Sequence, residues 1–208
     1  MDILARVLYD PLSKGDEMQK TSFPHLIKGE KVELRRPVAD RAHAEALFDV
    51  ISRNGFFYPW RFSLSSIRSA EDALYFIQKR AAKMDAGTDA YYDIFALGRY
   101  AGEVYARDFD FDNDTVKNFG YFMDKDLQGR GYASDAVSAL GKYLFFIGVH
   151  RICLFTHYFD EKEPNFASER VARKCGFAFE GTARGAIFDP IGRRYGNEHM
   201  FAKLSTDS

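Results

Sequence analysis

Met123-Asp124-Lys125-Asp126-Leu127-Gln128-Gly129-Arg130-Gly131-Tyr132-Ala133 is the stretch on which the fold turns. Before it, Phe119, Tyr121 and Met123 alternate as in a strand. After it, Ala136, Val137, Leu140, Leu144 and Ile147 recur at helical spacing. A glycine loop feeding a helix N-terminus presents free backbone N–H groups, and the helix dipole adds partial positive charge. Such a loop suits an anion, and Gly129 and Gly131 let the backbone approach a phosphate with no Cβ in the way. Two nucleotide spellings fail. A Walker A loop needs Lys and then Ser or Thr after its second glycine, where Tyr132-Ala133 stands. A dinucleotide fingerprint needs a third small residue, Gly or Ala, where Ser134 stands. For an isolated G-x-G the alternative is a tight turn without a ligand, and the rest of the chain bears on that choice.

With 208 residues, 46% hydrophobic and 28% charged, the chain suits one globular domain with a sizeable core. A formal net charge of -1 gives no electrostatic support for a nucleic-acid partner. The best apolar run, residues 143–149, is far short of the roughly 18 needed to cross a bilayer, so no membrane partner is expected. Asp2, Arg6 and Asp10 in the first stretch do not read as a signal peptide. Cys153 and Cys175 read as buried thiols of a cytoplasmic protein. Too few cysteines are present for a metal site built on them, and His25, His43, His150, His157 and His199 show no paired metal spacing, so no metal is expected.

Residues 1–27 show little periodicity and read as an N-terminal extension. Residues 31–35 alternate like a first strand. Asp40 caps a helix with Ala44, Leu47, Phe48 and Ile51 on one face. An aromatic loop, residues 55–62, follows. Ser69-x-x-Asp72 spells a capping box for a second helix. Strand patterns at 92–97 and 101–107 flank Gly98-Arg99, read as a tight turn, and a third runs over 117–123. Beyond the glycine loop and its helix come a strand over 151–158, a helix over 166–175 with Gly176 at its C′ position, and a strand over 177–184. A turn at Asp189-Pro190-Ile191-Gly192 leads to a last strand ending near Lys203. This order gives an α+β mixed sheet. Asp108, Asp110, Asp112 and Asp114 alternate in a loop, but neither frame supplies the Gly and Glu of a calcium loop.

Gln128-Gly129-Arg130-Gly131-Tyr132-Ala133 matches the Q/R-x-x-G-x-G/A loop of the GNAT acyltransferases. Asn165-Phe166-Ala167-Ser168 and Val171-Ala172-Arg173-Lys174-Cys175-Gly176-Phe177 resemble that superfamily's second block, N-x-x-S-x-x-V-x-x-K-x-G-F. Glu180-Gly181 and His150-Arg151-Ile152 resemble its ribosomal-protein N-acetyltransferase branch, the RimJ/RimL type. The resemblance implies a mostly antiparallel central sheet with helices on both faces, and a single acyl-CoA N-acyltransferase domain over residues 28–208. It implies acetyl-CoA as donor, with no metal. The diphosphate would sit on the N–H groups of Gly129 to Ala133, flanked by Gln128, Arg130 and Tyr132. Backbone around Phe122 and Met123 would hold the pantetheine arm, in a gap between this strand and the one over 151–158. Asn165 and Ser168 complete the expected coenzyme contacts.

For chemistry the resemblance implies that the Ser168 hydroxyl lies near the CoA sulfur and helps the thiolate leave. The alternative is a Ser of the first helical turn that bonds the backbone. Many relatives carry a Tyr four residues later, where this chain has Ala172. Many also carry a carboxylate on the strand before the glycine loop, and residues 117–123 have none. Glu103, in phase with Ala101 and Tyr105, is the first candidate base and Glu198 the second; a carboxylate facing solvent is the alternative for each. An α-amine titrates near ~7.7–8.0 and a Lys side chain near ~10.4, so a site with a poor base suits an N-terminal amine better than lysine. The resemblance implies that Tyr58 and Trp60 line the acceptor cleft; core and loop packing is the alternative for this aromatic cluster. Residues 159–164 look like an insertion beside it, and Asn197 stands where the family often has Asp. The expectation is direct attack of a protein N-terminal α-amine or a small amine on the thioester, by a monomer or homodimer. The alternatives are another acyl-CoA, such as succinyl-CoA, or a non-catalytic acyl-CoA-binding module.

Overall fold

The computed structural model describes residues 23–53, 64, 66–159, 165–190 and 192–207 of the chain. Its strands are β1 (Leu26–Lys28), β2 (Glu33–Arg35), β3 (Ala90–Ala96), β4 (Arg99–Asp110), β5 (Thr115–Met123), β6 (Arg151–Tyr158), β7 (Ala178–Asp189) and β8 (Arg194–Leu204). They form one eight-stranded sheet in the order β1-β2-β3-β4-β5-β6-β8-β7. Neighbours pair antiparallel throughout except β5 and β6, which are parallel. A parallel pair needs a crossover, and α3 (Tyr132–Phe146) supplies it directly after the glycine loop.

Side-chain alternation sorts the strands' apolar residues onto two faces. Val104, Phe119, Ile152 and Leu154 pack with Val137, Leu140 and Leu144 of α3 on one face. Tyr100 and Phe122 pack on the other with Leu47 of α1 (Arg41–Arg53) and Ile77 of α2 (Ala70–Asp85). The helix α4 (Phe166–Lys174) joins the α3 side, where Ala172 is buried in the same cluster. Leu140 is 0% exposed, so its truncation to Ala would cost about 2–5 kcal/mol.

Helix ends follow the sequence closely. Asp40 Oδ1 accepts from the His43 N–H at 2.8 Å, and Ser69 Oγ from the Asp72 N–H at 3.1 Å. The return arm of the Ser69 box is displaced by one residue: Asp72 Oδ2 accepts from the Arg68 N–H at 2.9 Å. The α4 C-terminus closes as a Schellman turn. Gly176, at φ +81, donates to Arg173 O, and Phe177 donates to Ala172 O.

Four expectations need correction. The β3–β4 turn is Leu97-Gly98, with φ of 53 and 77 suited to a type I′ hairpin, and Arg99 already belongs to β4. The expected extension reaches into the sheet, because Leu26–Lys28 pairs with β2 and Phe23 is buried in the core; the boundary at residue 28 falls inside an element. The first predicted strand shortens to Glu33–Arg35 because the N–H groups of Lys31 and Val32 go to the Asp135 carboxylate instead. Cys153 is half-buried, since it alternates with buried Ile152 and Leu154, whereas Cys175 is buried as expected; both thiols are free. The aromatic loop with Phe56, Tyr58 and Trp60, residues 160–164 of the insertion, and Ile191 lie outside the described residues. No helix among the described residues is long and apolar enough to cross a membrane.

Candidate active site

β5 and β6 share register at Thr115–Arg151, Val116–Ile152 and Phe119–Leu154, and nowhere beyond. Past that point the strands part. A cleft of about 840 Å³ opens between them, lined by residues 118–123 of β5, by Leu154, Phe155 and His157 of β6, and by Asn165 and Ser168. Alternate residues of the β5 edge turn their N–H and C=O groups toward this gap. Phe122 and Met123 line it.

At the mouth of the cleft stands the glycine loop. Asp124, 0% exposed, anchors its start through Arg53 at 3.4 Å and Arg99 at 3.3 Å. Lys125–Leu127 forms one 3-10 turn whose Leu127 is buried, and Gln128 Nε2 donates to Met123 O at 3.1 Å. Gly129 and Gly131 then take left-handed φ of 74 and 85, a region costly for other residues. Gly131 is the N-cap of α3 and has no side chain to cap it. The N–H groups of Tyr132, Ala133 and Ser134 therefore point out at the positive end of the dipole. A carboxylate in this first turn would repel an anion, but Asp135 is turned away. It accepts the N–H groups of Glu30, Lys31 and Val32 at 3.1, 2.6 and 3.0 Å, strapping the β1–β2 connection to α3. Two ammonium groups flank the loop: a Cβ at Gly131 would meet Lys31 Nζ at 3.4 Å and Lys174 Nζ at 3.8 Å. Gln128, Gly129, Gly131, Tyr132 and Ala133 line the cleft, whereas the exposed Arg130 does not.

Deeper in, Asn165 Oδ1 accepts the Ser168 N–H at 3.2 Å and is the cap of α4. Ser168 is thereby not the capping residue. Its Oγ accepts instead from the Tyr121 hydroxyl at 3.3 Å. Burial pushes the Tyr121 phenol up to about 12, so it remains a proton donor at neutral pH.

The two candidate bases separate. Glu103 does not line the cleft; it is 3% exposed beneath α2, where its Oε2 takes the Arg80 Nε at 2.5 Å. A carboxylate held in that way is placed for a structural ion pair and stands apart from the cleft where a base would act. Glu198 does line the cleft, 3.3 Å from His157 Nε2. Asn197 serves the backbone, accepting the Gly185 N–H at 2.9 Å. Away from the cleft, under α1, His43 Nε2 stands 3.2 Å from Asp93 Oδ1. Sequence reasoning missed Tyr121, His157, Arg170 and Lys174 as cleft residues. Lys174 and Arg170 carried a signal, being in or beside the Asn165–Phe177 block; His157 carried none, because its partner is 41 positions away across β6–β8. Among the described residues no group of three or more His, Cys, Asp or Glu side chains is placed to hold a metal.

The sequence profile of the acetyltransferase (GNAT) domain matches residues 31–178. Among solved structures, the microcin C7 self-immunity acetyltransferase MccE, in complex with acetyl-CoA and AMP, is 23% identical. That match covers 88% of this chain and 98% of that one, with a TM-score of 0.76. RimL, the ribosomal L7/L12 α-N-protein acetyltransferase in complex with coenzyme A, is 24% identical over 86% of this chain and 97% of that one, with a TM-score of 0.73. An acetyltransferase from Salmonella typhimurium that modifies the N-terminal serine of ribosomal protein L7/L12 is 25% identical. Its match covers 86% of this chain and 98% of that one, with a TM-score of 0.72. No curated protein sequence matches the chain. The parted strands and the glycine loop agree with the matched domain, which spans most of the chain: this chain belongs to the GNAT acetyltransferase family.

Proposed function

We propose that the protein transfers acetyl to a primary amine by direct attack, with the α-amine of a protein N-terminus favoured over a lysine side chain. The observation that carries this reading is the parting of β5 from β6 beside the Tyr121–Ser168 hydroxyl pair. A pantetheine arm laid in that gap, its diphosphate on the N–H groups of Gly129 to Ala133, brings its sulfur toward Ser168. Lys31 and Lys174 would add charge to the phosphates. The thioester is already activated, so the protein's task is to orient it, admit an amine as free base and protonate the leaving thiolate. Ser168 Oγ accepts from Tyr121 and keeps its own proton to give to sulfur.

The acceptor preference rests on proton chemistry. At neutral pH an appreciable minority of α-amines (~7.7–8.0) are free base and almost no lysines (~10.4) are. The motif resemblance to the RimJ/RimL type supports the same acceptor, as does the Salmonella relative that modifies an N-terminal serine. A small amine is the second acceptor class, and a non-catalytic binding module the rival.

A panel of peptides with free N-termini, N-terminally blocked lysine peptides and small amines separates these, read by mass spectrometry and CoA release. Acetylation of N-terminal amines with little on lysine is the expected result. Tight acetyl-CoA binding with no acceptor acetylated would establish the module instead.

A further inference from the structure

Phe119 and Leu154 are the last residues that β5 and β6 share in register. Counting three residues further along each strand brings Phe122 and His157 to opposite sides of the gap, and both line the cleft. They also share a face. Phe122 packs with Leu47 and Ile77 under α1 and α2. On β6, Thr156 opposes His199 of β8, whose ring meets Glu169 of α4 at 2.7 Å. The next pair, His157 opposite Glu198, therefore points to the other face, that of α1 and α2. Ser168, held by Tyr121, is on the α4 face. The gap thus has a hydroxyl toward one face of the sheet and an imidazole–carboxylate pair toward the other.

We propose that His157 is the general base that takes the proton of the acceptor amine, with Glu198 as its positioning residue; this rests on the N-acetyltransferase reading above. A thioester in the gap would be approached by the amine from the α1–α2 face and would release sulfur toward α4. His157 Nε2 lies 3.3 Å from Glu198 Oε1. With the Nε2 proton turned toward that carboxylate, Nδ1 keeps a lone pair for the amine. The amine nitrogen forms a bond to the carbonyl carbon and passes a proton to Nδ1. The C–S bond then breaks, and the thiolate takes the Ser168 proton. Solvent afterwards takes the proton from His157 and restores that of Ser168. The side chains of His157 and Glu198 are 25% and 24% exposed, covered enough to hold one geometry and open enough to release a proton. Both line the cleft.

The competing role is a cross-strand pair that only holds β6 to β8, and the test separates the two. Full-length wild type, His157→Ala, Glu198→Gln and the double variant are assayed on peptides with free N-termini, with acetyl-CoA affinity measured by calorimetry. Expected for His157→Ala is a kcat lower by about 100-fold or more, unchanged acetyl-CoA affinity and partial rescue by added imidazole. Glu198→Gln should lose less, and the double variant no more than His157→Ala alone. Wild-type kcat in His157→Ala overturns the assignment. So does a deficit that imidazole leaves untouched and that appears in acetyl-CoA affinity. Those results leave wild-type turnover intact, whereas a wild type that binds acetyl-CoA and acetylates no amine overturns the N-acetyltransferase reading and this assignment with it.

Discussion

The Tyr121 hydroxyl donates to Ser168 Oγ across 3.3 Å, tying the strand that enters the glycine loop to the first turn of α4. The bond occupies a lone pair of Ser168 and leaves its proton for a leaving group. Ser168→Ala should lower kcat by about 100-fold with acetyl-CoA affinity unchanged. Tyr121→Phe should act in the same direction by less. Steady-state kinetics with calorimetry check this; an unchanged kcat in Ser168→Ala would remove the hydroxyl from the mechanism.

Gly131 combines a left-handed φ of 85 with a position at the N-cap of α3, where an added Cβ would meet Lys31 Nζ at 3.4 Å and Lys174 Nζ at 3.8 Å. Gly131→Ala should destabilise the fold by about 1–2 kcal/mol and weaken acetyl-CoA binding more than that strain alone explains. Gly98→Ala is the control. It has φ +77, no atom within 4 Å of an added Cβ and a place in the β3–β4 turn, so it should lose stability and keep its affinity. Equal affinity losses in the two variants would contradict a diphosphate seat at Gly131.

Local signals in the sequence carried much of this architecture. Glycine spacing, the Asp40 and Ser69 caps, the Gly176 terminus and the helical repeat from Ala136 to Leu144 are each written within a few residues of where they act. What escaped depends on contacts between distant segments. Glu103 alternates correctly on β4, yet only the placement of α2 brings Arg80 onto it. Lys31 looks like a strand residue until Asp135, 104 positions on, takes its N–H. His157 and Glu198 become a pair only through the β6–β8 register, which no local pattern fixes.

Glu103 and Arg80 form a buried pair, with side chains 4% and 13% exposed. Removing one partner strands the other's charge, so Glu103→Ala should destabilise the protein by about 3–5 kcal/mol. Denaturant titration reads that loss. Full stability together with a kcat about 100-fold lower would return Glu103 to the role of base.

Burial pushes the Asp93 carboxyl up from 3.8 to about 6, against the opposing pull of His43. For His43, burial works downward, but the Asp93 carboxylate 3.2 Å away and the Val38 carbonyl outweigh it, and the net shift is upward from 6.5. Both groups hold protons more tightly folded than unfolded. Asp93's contribution is complete below 3.8 and is lost as pH rises through about 6; that of His43 begins to fall above 6.5. The thermal midpoint of wild type, relative to Asp93→Asn, should therefore exceed it most near pH ~4 and less near pH ~8. A gap that widens with rising pH would reverse the assigned direction.

A crystal structure with acetyl-CoA bound should show diphosphate oxygens within hydrogen-bond distance of the N–H groups of residues 129–133, the pantetheine arm between β5 and β6, and the sulfur beside Ser168 Oγ. Coenzyme seated away from that loop, or a gap between the strands left empty by the arm, would contradict this reading.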